Sequence, residues 1–203
     1  TFDGKDVSKL IGGFAITKED GITYHYAVPV YTFRHNQYSI GTKKGTHTRD
    51  INNPMPYAYT WLLSAVTGPD FIDQNTNGIV DDSDSGYYVG FVYGNFASNY
   101  QFRFPNEGNE FLLDIDGTKN RSAGRKQLFY LDAAYTRTHT ALFVKSMKRD
   151  GLGVASLDKG GFGVGTEMNG TTATSTATLK LDEILLVNNK SLPISAMASS
   201  VPQ

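Results

Sequence analysis

The stretch Gln127-Leu128-Phe129-Tyr130-Leu131-Asp132-Ala133-Ala134-Tyr135-Thr136, followed after Arg137-Thr138-His139 by Thr140-Ala141-Leu142-Phe143-Val144-Lys145-Ser146-Met147, decides the fold class. Both arms are rich in the aromatic and β-branched residues that suit a pleated, half-buried surface. The linker is short, so the arms are expected to form a hairpin and pair antiparallel.

Working upstream, Gly86 to Phe96 and Tyr100 to Phe104 read as neighbouring strands with a turn at Ala97 to Asn99. Pro56-Tyr57-Ala58-Tyr59-Thr60-Trp61-Leu62-Leu63-Ser64-Ala65-Val66 has some helical composition, but its aromatics and the Gly68-Pro69 stop favour a strand. Ile22 to Phe33 reads as a strand that is edge or bulged, because Pro29 has no N–H to give to a ladder. Arg34 to Asn53 is polar and without period, which predicts a long surface loop.

Downstream, Lys148 to Gly153 is expected to turn the chain, and the Gly/Thr/Ser-rich stretch from Gly160 to Thr178 to be loop. Ala177 to Val187 begins with alternation and ends apolar, as expected of a strand buried first on one face and then on both. Together these segments predict an all-β fold, an antiparallel β-sandwich with long loops. No repeat or Pro-rich linker divides the chain, so residues 1–190 are expected to form one domain, with 1–55 as its N-terminal part. Residues 191–203, small and polar, read as a C-terminal linker to a further module, and the start at Thr1-Phe2-Asp3-Gly4 as that of a processed or excised piece.

Composition narrows the function classes. With 19 basic and 20 acidic residues the net charge is −1, so no global field draws in nucleic acid or an anionic membrane. The absence of cysteine excludes disulfides, a thiol nucleophile and a thiolate zinc site. No run of about 18 apolar residues is present to span a bilayer, so membrane insertion is not expected.

One loop carries readable chemistry. From Asp73, oxygen-bearing side chains fall at loop positions 1, 3, 5, 9 and 12, namely Asp73, Asn75, Asn77, Asp81 and Asp84, with Gly78 at 6 and the Ile79 carbonyl at 7. Calcium takes six to eight oxygens, so alternate side chains must converge while a glycine turns the backbone. The expected cofactor is therefore a calcium ion. The spacing is that of an EF-hand or dockerin-like loop, whose position 12 is usually a bidentate Glu; Asp84 there is shorter, which places affinity in the weak extracellular range of roughly 0.1–1 mM. The flanks lack amphipathic helices, so a sensor role is not expected. A solvated Asp/Asn turn is the plainer use of such residues. Asp70 and Asp82 either add a ligand or tune charge, and Asp114-Ile115-Asp116-Gly117 reads as an ordinary turn.

No catalytic constellation is legible. His25, His35, His47 and His139 lack metal-ligand spacing, and Glu19-Asp20 and Glu107 with Glu110 lie in polar, turn-like stretches. Tyr24, Tyr26, Tyr87, Tyr88, Tyr93 and Tyr100 are candidates for stacking on sugar, although strand aromatics mostly fill cores.

Three segments bear a resemblance together: Pro56 to Leu63 running into Thr67-Gly68-Pro69-Asp70-Phe71-Ile72-Asp73; Phe129-Tyr130-Leu131 through Thr138-His139-Thr140-Ala141-Leu142-Phe143 to Arg149-Asp150-Gly151-Leu152-Gly153; and Leu179-Lys180-Leu181-Asp182-Glu183-Ile184. Over residues 55–188 the chain resembles a β-rich module of very large secreted or cell-surface proteins of Bacteroidetes related to Rhs and YD-repeat proteins. The resemblance implies an exported parent protein and a module of its shell or stalk. It brings no catalytic residue, and its Asp-rich loop maps onto Asp73, Asn75, Asn77, Asp81 and Asp84. The expected function is a calcium-stabilised structural or adhesive module whose partners are neighbouring modules or a surface assembly. The alternative is a calcium-dependent carbohydrate-binding, lectin-like module with a glycan partner, and the weaker rival a glycoside hydrolase or lyase fragment.

Overall fold

A computed structural model of the chain describes residues 10–40, 48–53, 56–104, 112–113, 119–152 and 177–190. Nine strands make up the described secondary structure: β1 Phe14–Thr17, β2 Thr23–Ile40, β3 Thr48–Asn53, β4 Tyr57–Thr67, β5 Tyr88–Phe104, β6 Leu112–Leu113, β7 Lys119–Tyr135, β8 His139–Leu152 and β9 Ala177–Asn188. All pair antiparallel in one hydrogen-bonded sheet, so the all-β antiparallel expectation holds. No helix among the described residues is long and apolar enough to cross a membrane.

The sheet closes on itself. Besides the path β1-β2-β4-β5-β7-β8-β9, strand β2 also pairs with β7, completing the circuit β2-β4-β5-β7. Thr32 is the junction, since it faces Tyr57 of β4 on one side and Lys126 of β7 on the other. Its buried hydroxyl donates to the Arg125 carbonyl at 3.1 Å, which satisfies the polar group where the strands meet. Pro29 is accommodated beside this junction. Pro29 stands opposite Trp61 of β4, while on the other edge β1 ends against Tyr26 and β7 begins at Thr32, so β2 has no ladder partner on that edge at Pro29.

Several local expectations are corrected. Arg34 to Asn53 is not one long loop: β2 continues to Ile40 and β3 occupies Thr48–Asn53, while residues 41–47 lie outside the described ones. The reason is non-local, because β2 is paired there by β3 and β7 at once, and a ladder satisfies backbone groups whatever the side-chain polarity. The expected turn at Ala97 to Asn99 is a pair of register shifts within the continuous strand β5, with Asn95 Nδ2 donating to Ser98 Oγ at 3.0 Å. Likewise Lys148 to Leu152 continues β8 rather than turning.

The hairpin of β7 and β8 forms with Ala133 opposite Leu142, and β8 then pairs along its length with β9. β9 is not buried: Leu181, Ile184, Leu185 and Leu186 are exposed, and because residues 184 to 186 alternate between faces, neither face of this last strand of the sheet path is covered there among the described residues. Phe14 to Thr17, unassigned from sequence, adds β1 at the other end, where Phe14 stacks on Tyr26 with centroids 5.1 Å apart. The Gly/Thr-rich stretch at 160–176 and the linker at 191–203 lie outside the described residues.

Candidate functional site

The Asp-rich loop joins β4 to β5, and its ends are clamped before the first candidate ligand is reached. Gly68 N–H donates to the Tyr87 carbonyl at 2.8 Å, and Ile72 and Ser85 exchange backbone bonds of 3.0 and 3.1 Å as an isolated antiparallel bridge. Asp70, considered a ligand or charge-tuning residue, sits in this clamp: its Oδ1 accepts the Tyr87 N–H at 3.1 Å. Gly86 has φ +84°, and a Cβ there would lie 2.1 Å from the Asp70 carbonyl oxygen, so only glycine fits without displacing backbone.

Within residues 73–84 the carboxylates and amides organise the backbone. Asp73 Oδ2 accepts the Gly78 N–H at 2.9 Å, Asn75 Oδ1 the Asn77 N–H at 3.1 Å, and Asn77 Oδ1 the Ile79 N–H at 2.7 Å. The last two are Asx turns, each folding the chain two residues on. Thr76 at φ +52° and Gly78 at φ +71° supply the left-handed conformations of the tight bend. Asp84, 1% exposed, accepts the Gln74 N–H at 3.2 Å on Oδ1 and the Asp81 N–H at 2.9 Å on Oδ2.

Asp81 is the hub. Its Oδ1 takes the Ser83 hydroxyl at 2.6 Å and the Ser83 N–H at 2.8 Å, and its Oδ2 takes the side-chain amides of Asn75 and Asn77, both at 3.0 Å. Those bonds, from Ser83 first and then Asn77 and Asn75, hold its carboxyl down at about 2. The loop thus gathers Asn75, Asn77, Asp81 and Asp84 in one hydrogen-bonded unit. Asp73 joins through Gly78, Ile79 is exposed, and Asp82 is exposed as well.

One oxygen stands apart. Asp73 Oδ1 is buried and has no hydrogen-bond partner, although Oδ2 of the same carboxylate is bonded. Among the described residues no group of three or more His, Cys, Asp or Glu side chains is arranged to hold a metal ion. The donor set expected from the sequence is mixed, with the amides of Asn75 and Asn77 and the Ile79 carbonyl beside three carboxylates.

Two supports for the loop were not foreseen. Tyr135, near the end of β7, donates its hydroxyl to the Val80 carbonyl at 2.6 Å, and Arg137 in the β7–β8 turn donates to the Asp84 carbonyl at 2.6 Å. Tyr135 packs edge-on against Tyr88 at 6.4 Å, and Phe71, Val80 and Val92 pack against this pair, so the loop rests on a core of its own. Burial, followed by Tyr88 and then Asp81, Asp82 and Asp84, pushes the Tyr135 hydroxyl up to about 12. Only the position of Tyr135 and Arg137 in the deciding hairpin pointed toward them.

The remaining candidates separate. His25 Nε2 pairs with Thr67 Oγ1 at 2.9 Å, His35 tilts against Phe102, and exposed His139 contacts the neighbouring Thr138 hydroxyl. Glu19 and Asp20 are exposed in the β1–β2 turn, where Asp20 Oδ1 accepts the Ile22 N–H at 3.0 Å. His47, Glu107, Glu110 and the Asp114 to Gly117 turn lie outside the described residues. Of the six tyrosines, Tyr88 and Tyr100 are buried, Tyr24, Tyr26 and Tyr93 half-buried, and Tyr87 exposed. Compared with known proteins, the chain matches no family model, no curated protein and no solved structure.

Proposed function

We propose that this chain is a calcium-stabilised structural or adhesive module of a large secreted or cell-surface protein, with the ion held in the loop between β4 and β5. The observation that carries the reading is Asp73 Oδ1, a buried carboxylate oxygen at loop position 1 without a donor. Leaving such an acceptor unsatisfied costs about 1–3 kcal/mol or more for a charged group, and a hard cation is its natural complement. Asp73, Asn75, Asn77, the Ile79 carbonyl, Asp81 and Asp84 are the proposed ligands. Calcium supplies positive charge that offsets repulsion among Asp73, Asp81, Asp82 and Asp84, four acids within twelve residues.

What holds the loop supports a structural role. Its ends lead into β4 and β5 and are clamped by the Ile72–Ser85 bridge, and its middle is tied to β7 and the β7–β8 turn by Tyr135 and Arg137. No helix pair flanks it to swing open as in a sensor. Calcium binding is then folding free energy for the β4–β5 connection. The setting of an exported protein, with neighbouring modules as partners, rests on the three segments that resemble Bacteroidetes surface proteins.

The test is thermal unfolding in EDTA and in about 2 mM calcium, beside Asp73→Ala. With a dissociation constant of roughly 0.1–1 mM, linkage gives about 0.6–1.8 kcal/mol, or a midpoint rise of about 1–7 °C, absent in the variant. Equal midpoints for the wild type in both conditions would reduce the loop to a polar turn and end this reading.

A further inference from the structure

A cavity of about 620 Å³ lies where the Asp-rich loop meets the sheet. The strands supply Val28, Ala65, Phe91 and Val92 to its wall, and the loop supplies Phe71 and Val80. We propose that this cavity is a binding site for a small, neutral, largely apolar molecule, and that its affinity is set in part by the ion in the loop; the second half rests on the calcium reading above.

The volume falls in the range of roughly 300–1,000 Å³ typical of small-molecule sites, whose walls are mostly apolar with a few polar groups. The chemistry of the polar groups selects the ligand class. The hydroxyls of Ser64, Tyr93 and Tyr135 already donate to the carbonyls of His25, Leu63 and Val80, at 2.9, 3.0 and 2.6 Å. His25 Nε2 is engaged by Thr67 Oγ1. Having spent their protons, these hydroxyls can only accept, and Asp73 is the carboxylate the proposed ion engages, so the oxygens of a ligand bearing many hydroxyls would meet no free hydroxyl donor and lose more hydrogen bonds to water than this wall returns. Among the described residues no lysine or arginine lines the cavity, and its one carboxylate is Asp73, so an anion meets no counter-charge there.

Coupling to the loop follows from shared residues. Asp73 and Ile79, two of the proposed ligands, also line the cavity, as does Gly78 at the bend between them. An ion that orders the loop pre-forms part of the ligand's wall, and by linkage a bound ligand raises the affinity for the ion by the same factor.

The probe for the test is the neutral, apolar dye N-phenyl-1-naphthylamine, titrated into the full chain in EDTA and in about 2 mM calcium and followed by fluorescence. Saturable binding is expected, roughly tenfold tighter in calcium, within the 5–150-fold span of coupled sites. Val28→Phe, adding a ring to the wall, should abolish the signal while circular dichroism and cooperative unfolding persist. Should that variant fail to fold, the isosteric Val28→Thr serves, with binding expected to weaken severalfold. No saturable signal for the wild type, or one indifferent to both substitutions, overturns the site. Equal dye affinity with and without calcium, beside an intact calcium-dependent midpoint rise, overturns the coupling. Dye binding that Val28→Phe removes, with no midpoint rise, overturns the calcium reading and sustains the cavity.

Discussion

Asp84 is the loop residue whose replacement should cost most in the absence of any ion. Its carboxylate is 1% exposed and accepts two backbone N–H groups, from Gln74 and Asp81, which draw the two halves of the loop together. Bonds to a charged acceptor contribute about 1.5–3 kcal/mol each, and truncation leaves both donors without a partner. Against this stand the burial of the charge and its repulsion from Asp81 and Asp82. Asp84→Ala measured in EDTA should therefore lose about 3 kcal/mol, a fall of about 6–12 °C in Tm for a chain of this size. Asp84→Asn keeps one acceptor oxygen and should lose about half as much. The assay is urea unfolding in EDTA with a common m-value, checked by thermal unfolding. A loss below about 1 kcal/mol for Asp84→Ala, or a gain in stability, would show that repulsion outweighs the two bonds and that this carboxylate does not hold the apo loop together.

Other consequences are open to direct measurement. Gly86→Ala, with its new Cβ 2.1 Å from the Asp70 carbonyl oxygen, should destabilise well beyond Gly78→Ala, where a Cβ has open space and φ +71° alone costs about 1–2 kcal/mol; comparable losses in urea titrations would contradict the clamp. Lys145→Met removes an ammonium that donates to the Leu131 carbonyl at 2.6 Å and to Asp132 at 2.5 Å. Because Asp132 is half exposed, the expected cost is about 1–2 kcal/mol, read as a Tm fall of several degrees. Burial lowers the pKa of His25 from its ordinary 6.5, so its protonation favours the unfolded chain. This stability component is complete above about pH 6.5 and shrinks as pH falls toward the folded value, a slope that His25→Gln should lack in urea midpoints taken from about pH 8 to 5.

The parts of this protein legible from sequence are those where neighbouring residues decide the outcome. The β7–β8 hairpin, β4 and β9 were readable because β-branched and aromatic residues cluster between turn formers. The loop was readable because acceptors at positions 73, 75, 77, 81 and 84, with glycine at 78, act through bonds of only two to ten residues' span. What could not be read depends on partners far along the chain. The polar residues 34–40 become strand because β3 and β7 stand on either side of them, and β5 runs through Ala97 to Asn99 because β7 continues beside it. Tyr135 and Arg137 reach the loop across more than fifty residues, and the cavity exists only where that loop is held against the sheet. Local chemistry determined which segments could be strand or loop; closure of the sheet through Thr32, a matter of long-range backbone pairing, decided what each of them faces.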